Sequence, residues 1–101
     1  MRCDVYRYTF APEVQIEEAE ATFLLSVLAV EAVHGESQAR LDSAHAFDAA
    51  ARACVIDAST AVGRDLNKLF VGFLQREFGA DAFRVDRVAN EPVTSAAAPV
   101  T

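Results

Sequence analysis

The stretch Ala53–Phe78, ACVIDASTAVGRDLNKLFVGFLQREF, changes its hydrophobic period once, and that change decides the fold. In its first residues Cys54 and Ile56 oppose Ala53, Val55 and Asp57, the alternation of a short strand. Ser59 or Thr60 then offers a helix cap. Beyond it Leu66, Leu69, Phe70, Phe73 and Leu74 recur at three- and four-residue steps, while Arg64, Asn67, Lys68, Gln75 and Arg76 take the other side. Gly79 follows Phe78 and supplies a C-terminal stop. Gly72, inside this helix, costs about 1 kcal/mol against alanine, and either permits a close helix contact or is simply tolerated. A strand therefore runs directly into an amphipathic helix.

Alternation returns on both sides. Cys3–Phe10 (CDVYRYTF) puts Tyr6, Tyr8 and Phe10 on one face and Cys3, Val5, Arg7 and Thr9 on the other, and Ala11-Pro12 ends it. Ala82–Val88 alternates Phe83 and Val85 against Arg84 and Asp86. Ser37–Phe47 places Ala39, Leu41, Ser43, His45 and Phe47 on one face and reads as the partner of Arg52–Ala58 in a hairpin. Its alanines are poor strand formers and could extend a helix instead. A first helix begins between Pro12 and Ile16 and runs to His34, with Gly35 as its stop.

The order strand, helix, strand, strand, helix, strand makes the chain α+β. It predicts a two-layer ferredoxin-like (βαββαβ) sandwich: a four-stranded antiparallel sheet, first and third strands central, with two helices on one face. The expected domain is 1–89. Residues 90–101 carry two prolines, no periodicity and no large apolar cluster, and are expected to form a disordered tail.

The first helix is unusual within. Phe23, Leu24, Leu25, Val27, Leu28, Ala29 and Val30 point in nearly every direction, whereas a surface helix needs only one apolar stripe. A sheet and a neighbouring helix cover two sides; the third calls for another subunit. Leu24, Leu25, Leu28, Ala29 and Val30 are the candidate interface residues.

The 101 residues carry 9 Lys+Arg, 15 Asp+Glu and a net charge of −6. Between Glu13 and Glu36 there are six acids and no Lys or Arg, so all of the net charge comes from this segment. The acids suit a helix N-terminus, or they form a patch that docks a basic partner. Such a balance argues against nucleic-acid binding, which relies on Lys and Arg. The apolar stretch Ala21–Val33 is interrupted by Thr22, Ser26 and Glu31 and is too short to span a bilayer. Met1-Arg2-Cys3-Asp4 opens no signal-peptide pattern, so the expected location is cytoplasmic. Arginine outnumbers lysine eight to one and alanine numbers 20, residue usage expected of a GC-rich bacterial genome. Cys3 and Cys54 share no metal-ligand spacing and are expected to be core thiols, with no zinc and no disulfide.

Four constellations could carry chemistry. Ser59, Thr60, Gly63 and Arg64, at a strand-to-helix turn, offer hydroxyls, amides and a guanidinium to an anion, though Asp57 and Asp65 flank them; an N-cap is the simpler reading. His34 sits at a helix end, where its charge suits the dipole. His45, if it shares the bare sheet face with Tyr6 or Tyr8, could act as a general base. Glu20 and Glu31 lie about 16 Å apart along the first helix, too far for one site, and Glu31 should find an arginine. No catalytic residues, cofactor, metal or membrane are expected. Nor does the chain carry the residues by which RNA-recognition, metal-chaperone, acylphosphatase-like or amino-acid-sensing domains of this topology work.

The expected function is therefore a non-enzymatic protein-interaction or homo-oligomerisation module, a homodimer or the partner of a larger protein. The alternative is a small-ligand or anion-binding regulatory domain using the Ser59–Arg64 turn or the open sheet face. A third reading is a small enzyme of the dimeric α+β barrel kind, with His45, Tyr6 or Tyr8 in an interface cavity.

Overall fold

A computed structural model describes residues 4–88. Cys3, Ala89 and the tail expected at 90–101 lie outside the described residues. The elements are β1 (Val5–Phe10), α1 (Ile16–His34), α2 (Glu36–Asp42), β2 (His45–Asp48), β3 (Ala53–Asp57), α3 (Ala61–Phe78), a 3-10 turn (Ala80–Ala82) and β4 (Phe83–Arg87). The strands form one antiparallel sheet in the order β2-β3-β1-β4.

The register puts Phe47, Cys54, Tyr8 and Val85 in one cross-strand row, with Phe10 opposite Phe83 beside it. That face meets the helices. Phe70 of α3 is fully buried and packs on Tyr8 at 4.8 Å between ring centroids and edge-on to Phe10 at 6.3 Å. Phe23 of α1 meets Phe70 edge-on at 5.2 Å and Phe47 at 5.8 Å. Each such pair adds about 0.5–1.5 kcal/mol beyond burial. The opposite face carries Arg7, Thr9, Ala46, Ala53 and Val55, which line an open basin of about 1130 Å³.

There are three α-helices rather than the two expected. Glu36–Asp42 form α2, which takes in the first residues of the expected Ser37–Phe47 strand, and β2 shortens to His45–Asp48. Local pairs explain it. Glu36 bonds Arg40 at 2.6 Å and Gln38 bonds Asp42, both four residues apart, and alanine favours the helix. Gly35, at φ 88°, turns the chain between α1 and α2. A second difference concerns faces. Tyr6 and Tyr8 share a face with His45, as alternation requires, but it is the helix-covered face: His45 lies edge-on to Phe23 at 5.0 Å.

Arg52 fastens the turn before β3 to the β1–α1 connection. Its guanidinium donates to the carbonyls of Ala11 at 2.6 Å and Val14 at 2.7 Å, and its backbone takes φ 54°. At the other end, Gly63 lets α3 close on β3. A Cβ there would sit 2.1 Å from the Asp57 carbonyl oxygen, whereas nothing lies within 4 Å of one at Gly72, which rules out a close helix contact as the reason for that glycine. Gly63→Ala should therefore lower stability by about 1–3 kcal/mol through overpacking, despite alanine's better helix propensity. Gly72→Ala should raise it by up to about 1 kcal/mol. Urea titration of the two variants checks both signs.

Candidate functional site

α1 is built inside out. Its buried positions are Ala19, Thr22, Phe23, Ser26 and Val30, spaced along one side. The two hydroxyls are satisfied within the helix: Thr22 donates to the Glu18 carbonyl at 3.0 Å and Ser26 to the Thr22 carbonyl at 2.9 Å. The large aliphatics point the other way. Leu24 and Leu25 are each 54% exposed and Leu28 61%, with Val33 and Leu41 more open still. Of the candidate interface residues, Leu24, Leu25 and Leu28 thus form one open stripe and Ala29 is half-buried. Val30, at 2% exposure, belongs to the core, and its inclusion in an interface is corrected. Val33 and Leu41 join this exposed apolar surface, Leu41 from α2, where alternation alone predicts a strand.

Charge divides this surface. At its C-terminal end Glu31 and Glu36 have Arg40 at 3.9 and 2.6 Å, so Glu31 does find an arginine. His34 contacts Asp65 of α3 at 2.7 Å. At the N-terminal end Glu13, Glu17, Glu18 and Glu20 make no ion pair among the described residues. A cleft of about 340 Å³ there is lined by Glu13, Glu18, Glu77, Asp81, Val14 and Phe78. Glu77 and Asp81 are far away in sequence, so only the fold shows that they join the acids of α1. Among the described residues, no group of three or more His, Cys, Asp or Glu could hold a metal ion.

The Ser59–Arg64 turn does gather its four residues, but they serve each other. Thr60 caps α3, accepting from the Gly63 amide at 3.0 Å, and donates to the Asp42 carbonyl at 2.7 Å. The Asp57 carboxylate accepts from the Ser59 amide at 2.9 Å and hydroxyl at 2.6 Å. Among the described residues Arg64 reaches only the Ser59 carbonyl, at 3.4 Å. The Ser59 donors are thus taken by the chain's own carboxylate and the Gly63 amide by the Thr60 cap.

Beneath α2 a cavity of about 230 Å³ is lined by Val27, Val30, Leu66, Glu31, Ser43 and His45, among others. Burial lowers the His45 imidazole below its ordinary value, so at neutral pH it is uncharged. Among the described residues no side chain hydrogen-bonds it, and its ring contact is Phe23. Burial likewise pushes the Cys54 thiol up, away from the reactive thiolate. Tyr8 is raised by burial and, secondarily, by Cys54 and Tyr6, and its hydroxyl donates to the Asn67 side chain. Tyr8 and Cys54 thus belong to the core.

No helix among the described residues is long and apolar enough to cross a membrane. No family model matches the chain, and no curated protein or solved structure is significantly similar to it.

The His45 environment sets a sign for pH dependence. The folded state disfavours the imidazolium, while the unfolded chain takes up its proton near the ordinary value of about 6.5. The unfolded state then binds more protons, so stability falls as pH drops through that value. His45→Asn should flatten the change in unfolding midpoint between about pH 7 and pH 5. An unaltered slope would assign the pH dependence to other groups.

Proposed function

We propose that this chain is a protein-interaction module on a ferredoxin-like frame, with the outer face of α1 as its working surface. The frame reading is supported by the β2-β3-β1-β4 order, with β1 and β3 central, and by Phe23 and Phe70 bringing α1 and α3 to one sheet face. The short α2 is then an addition between the first helix and the second strand.

One observation carries the functional reading: hydroxyl-bearing Thr22 and Ser26 are buried while Leu24, Leu25 and Leu28 face out. Folding stability alone favours the reverse, since burying a leucine contributes about 1.5–3 kcal/mol. Scattered exposed leucines are ordinary, but a contiguous apolar stripe marks a contact surface. Either a second copy or a larger protein would cover it. The reading is of a binding surface, with no reaction attached.

The combined variant Leu24→Ser, Leu25→Ser, Leu28→Ser should stay within about 0.5 kcal/mol per site of the parent in chemical unfolding. Phe23→Ala, on the buried side, should cost about 3–5 kcal/mol. Losses of core size from the leucine changes would place the stripe inside the fold and end this reading.

A further inference from the structure

We infer that the occupant of the α1 face is a basic amphipathic segment of another protein, its apolar side chains on Leu24, Leu25 and Leu28 and its Lys or Arg residues against Glu13, Glu17, Glu18 and Glu20. The inference rests on the proposed working surface and adds the partner's chemistry. Helical spacing joins the two halves of the site: Glu20 precedes Leu24 by four residues, Glu17 precedes it by seven, and Glu18 precedes Leu25 by seven. Carboxylates and leucines therefore share one side of α1, a turn or two apart. The acidic cleft extends the negative surface through Glu77 and Asp81 of the α3 end. None of these six carboxylates is in an ion pair among the described residues, so each is available to an incoming cation.

A second copy complements this surface poorly. It brings the same segment 13–36, which has six acids and no Lys or Arg. Arg40 of α2, next to Leu41 in the chain, is already engaged by Glu36 at 2.6 Å. Pairing α1 against α1 would thus bury leucines while setting two acidic segments with no Lys or Arg of their own against each other. A partner with cations beside its apolar anchors satisfies both, and opposite potentials also speed encounter.

The test uses two helical probe peptides with one leucine pattern, one flanked by lysine and arginine, the other by glutamate. Binding to the full chain is read by fluorescence anisotropy at about 50 and 500 mM salt, which spans weak to strong screening. The basic peptide should bind at least about tenfold more tightly than the acidic one and weaken at high salt. Leu28→Asp, which keeps every native carboxylate, should abolish binding, and Glu17→Gln with Glu20→Gln should weaken it several-fold. Equal binding of the two peptides, binding that survives Leu28→Asp, or no binding of the basic peptide up to about 1 mM overturns the inference. Light scattering is run alongside. Self-association that Leu28→Asp abolishes makes the occupant a second copy, which overturns the partner assignment and leaves the working surface standing. Core-sized destabilisation in the leucine-to-serine variant removes the surface itself.

Discussion

Phe70 holds the molecule together. It is fully buried, lies on Tyr8 of the central strand, and receives Phe23 of α1 edge-on. Phe23 also meets Phe47 and His45 of the edge strand, so two rings join both long helices to two strands, β1 and β2. That contact fixes the rotation of α1. With Phe23 turned inward, residues three and seven positions on, Ser26 and Val30, must follow it. Leu24, Leu25 and Leu28 are then carried outward. The open stripe is a consequence of the aromatic contact at the centre.

The cost of that rotation is met locally. Thr22 and Ser26 return their hydroxyls to carbonyls one turn back in α1, so their burial leaves no unsatisfied donor. Small inward side chains also let α1 lie close to α3, where the His34–Asp65 contact adds a polar tie. Arg52, bridging the β1–α1 connection and the turn before β3, and Gly63, admitting the Asp57 carbonyl, hold the two ends of the sheet to the helices. The fold is thus complete without the leucines of the outer face.

Much of this was legible in the residues. The change of period after Asp57, the Thr60 cap and Gly79 placed β3 and α3 within a residue or so, because propensity, pattern and caps agree there. α2 was hidden because seven residues are too few to show a helical period, and the Glu36–Arg40 and Gln38–Asp42 pairs that stabilise it are side-chain matters. Parity put Tyr6, Tyr8 and His45 together correctly, yet alternation cannot say which face the helices cover. On α1 the excess of apolar residues was plain, but Val30 and Leu28 look alike in a sequence, and only the Phe23–Phe70 contact tells inside from outside. In the Ser59–Arg64 turn the cap was the simpler reading, and Thr60 does cap α3, while the flanking Asp57 takes the Ser59 donors, a pairing that composition alone does not show.

Leu24, Leu25 and Leu28 of α1 are open to solvent in the folded chain. Methyl NMR of dilute protein with a soluble paramagnetic probe tests it residue by residue. The Leu24, Leu25 and Leu28 methyl signals should broaden strongly, with those of Val30, Leu66 and Leu74 protected. Protection of the three outer leucines at the lowest concentration would contradict it, because the chain itself would then be covering the face left open here.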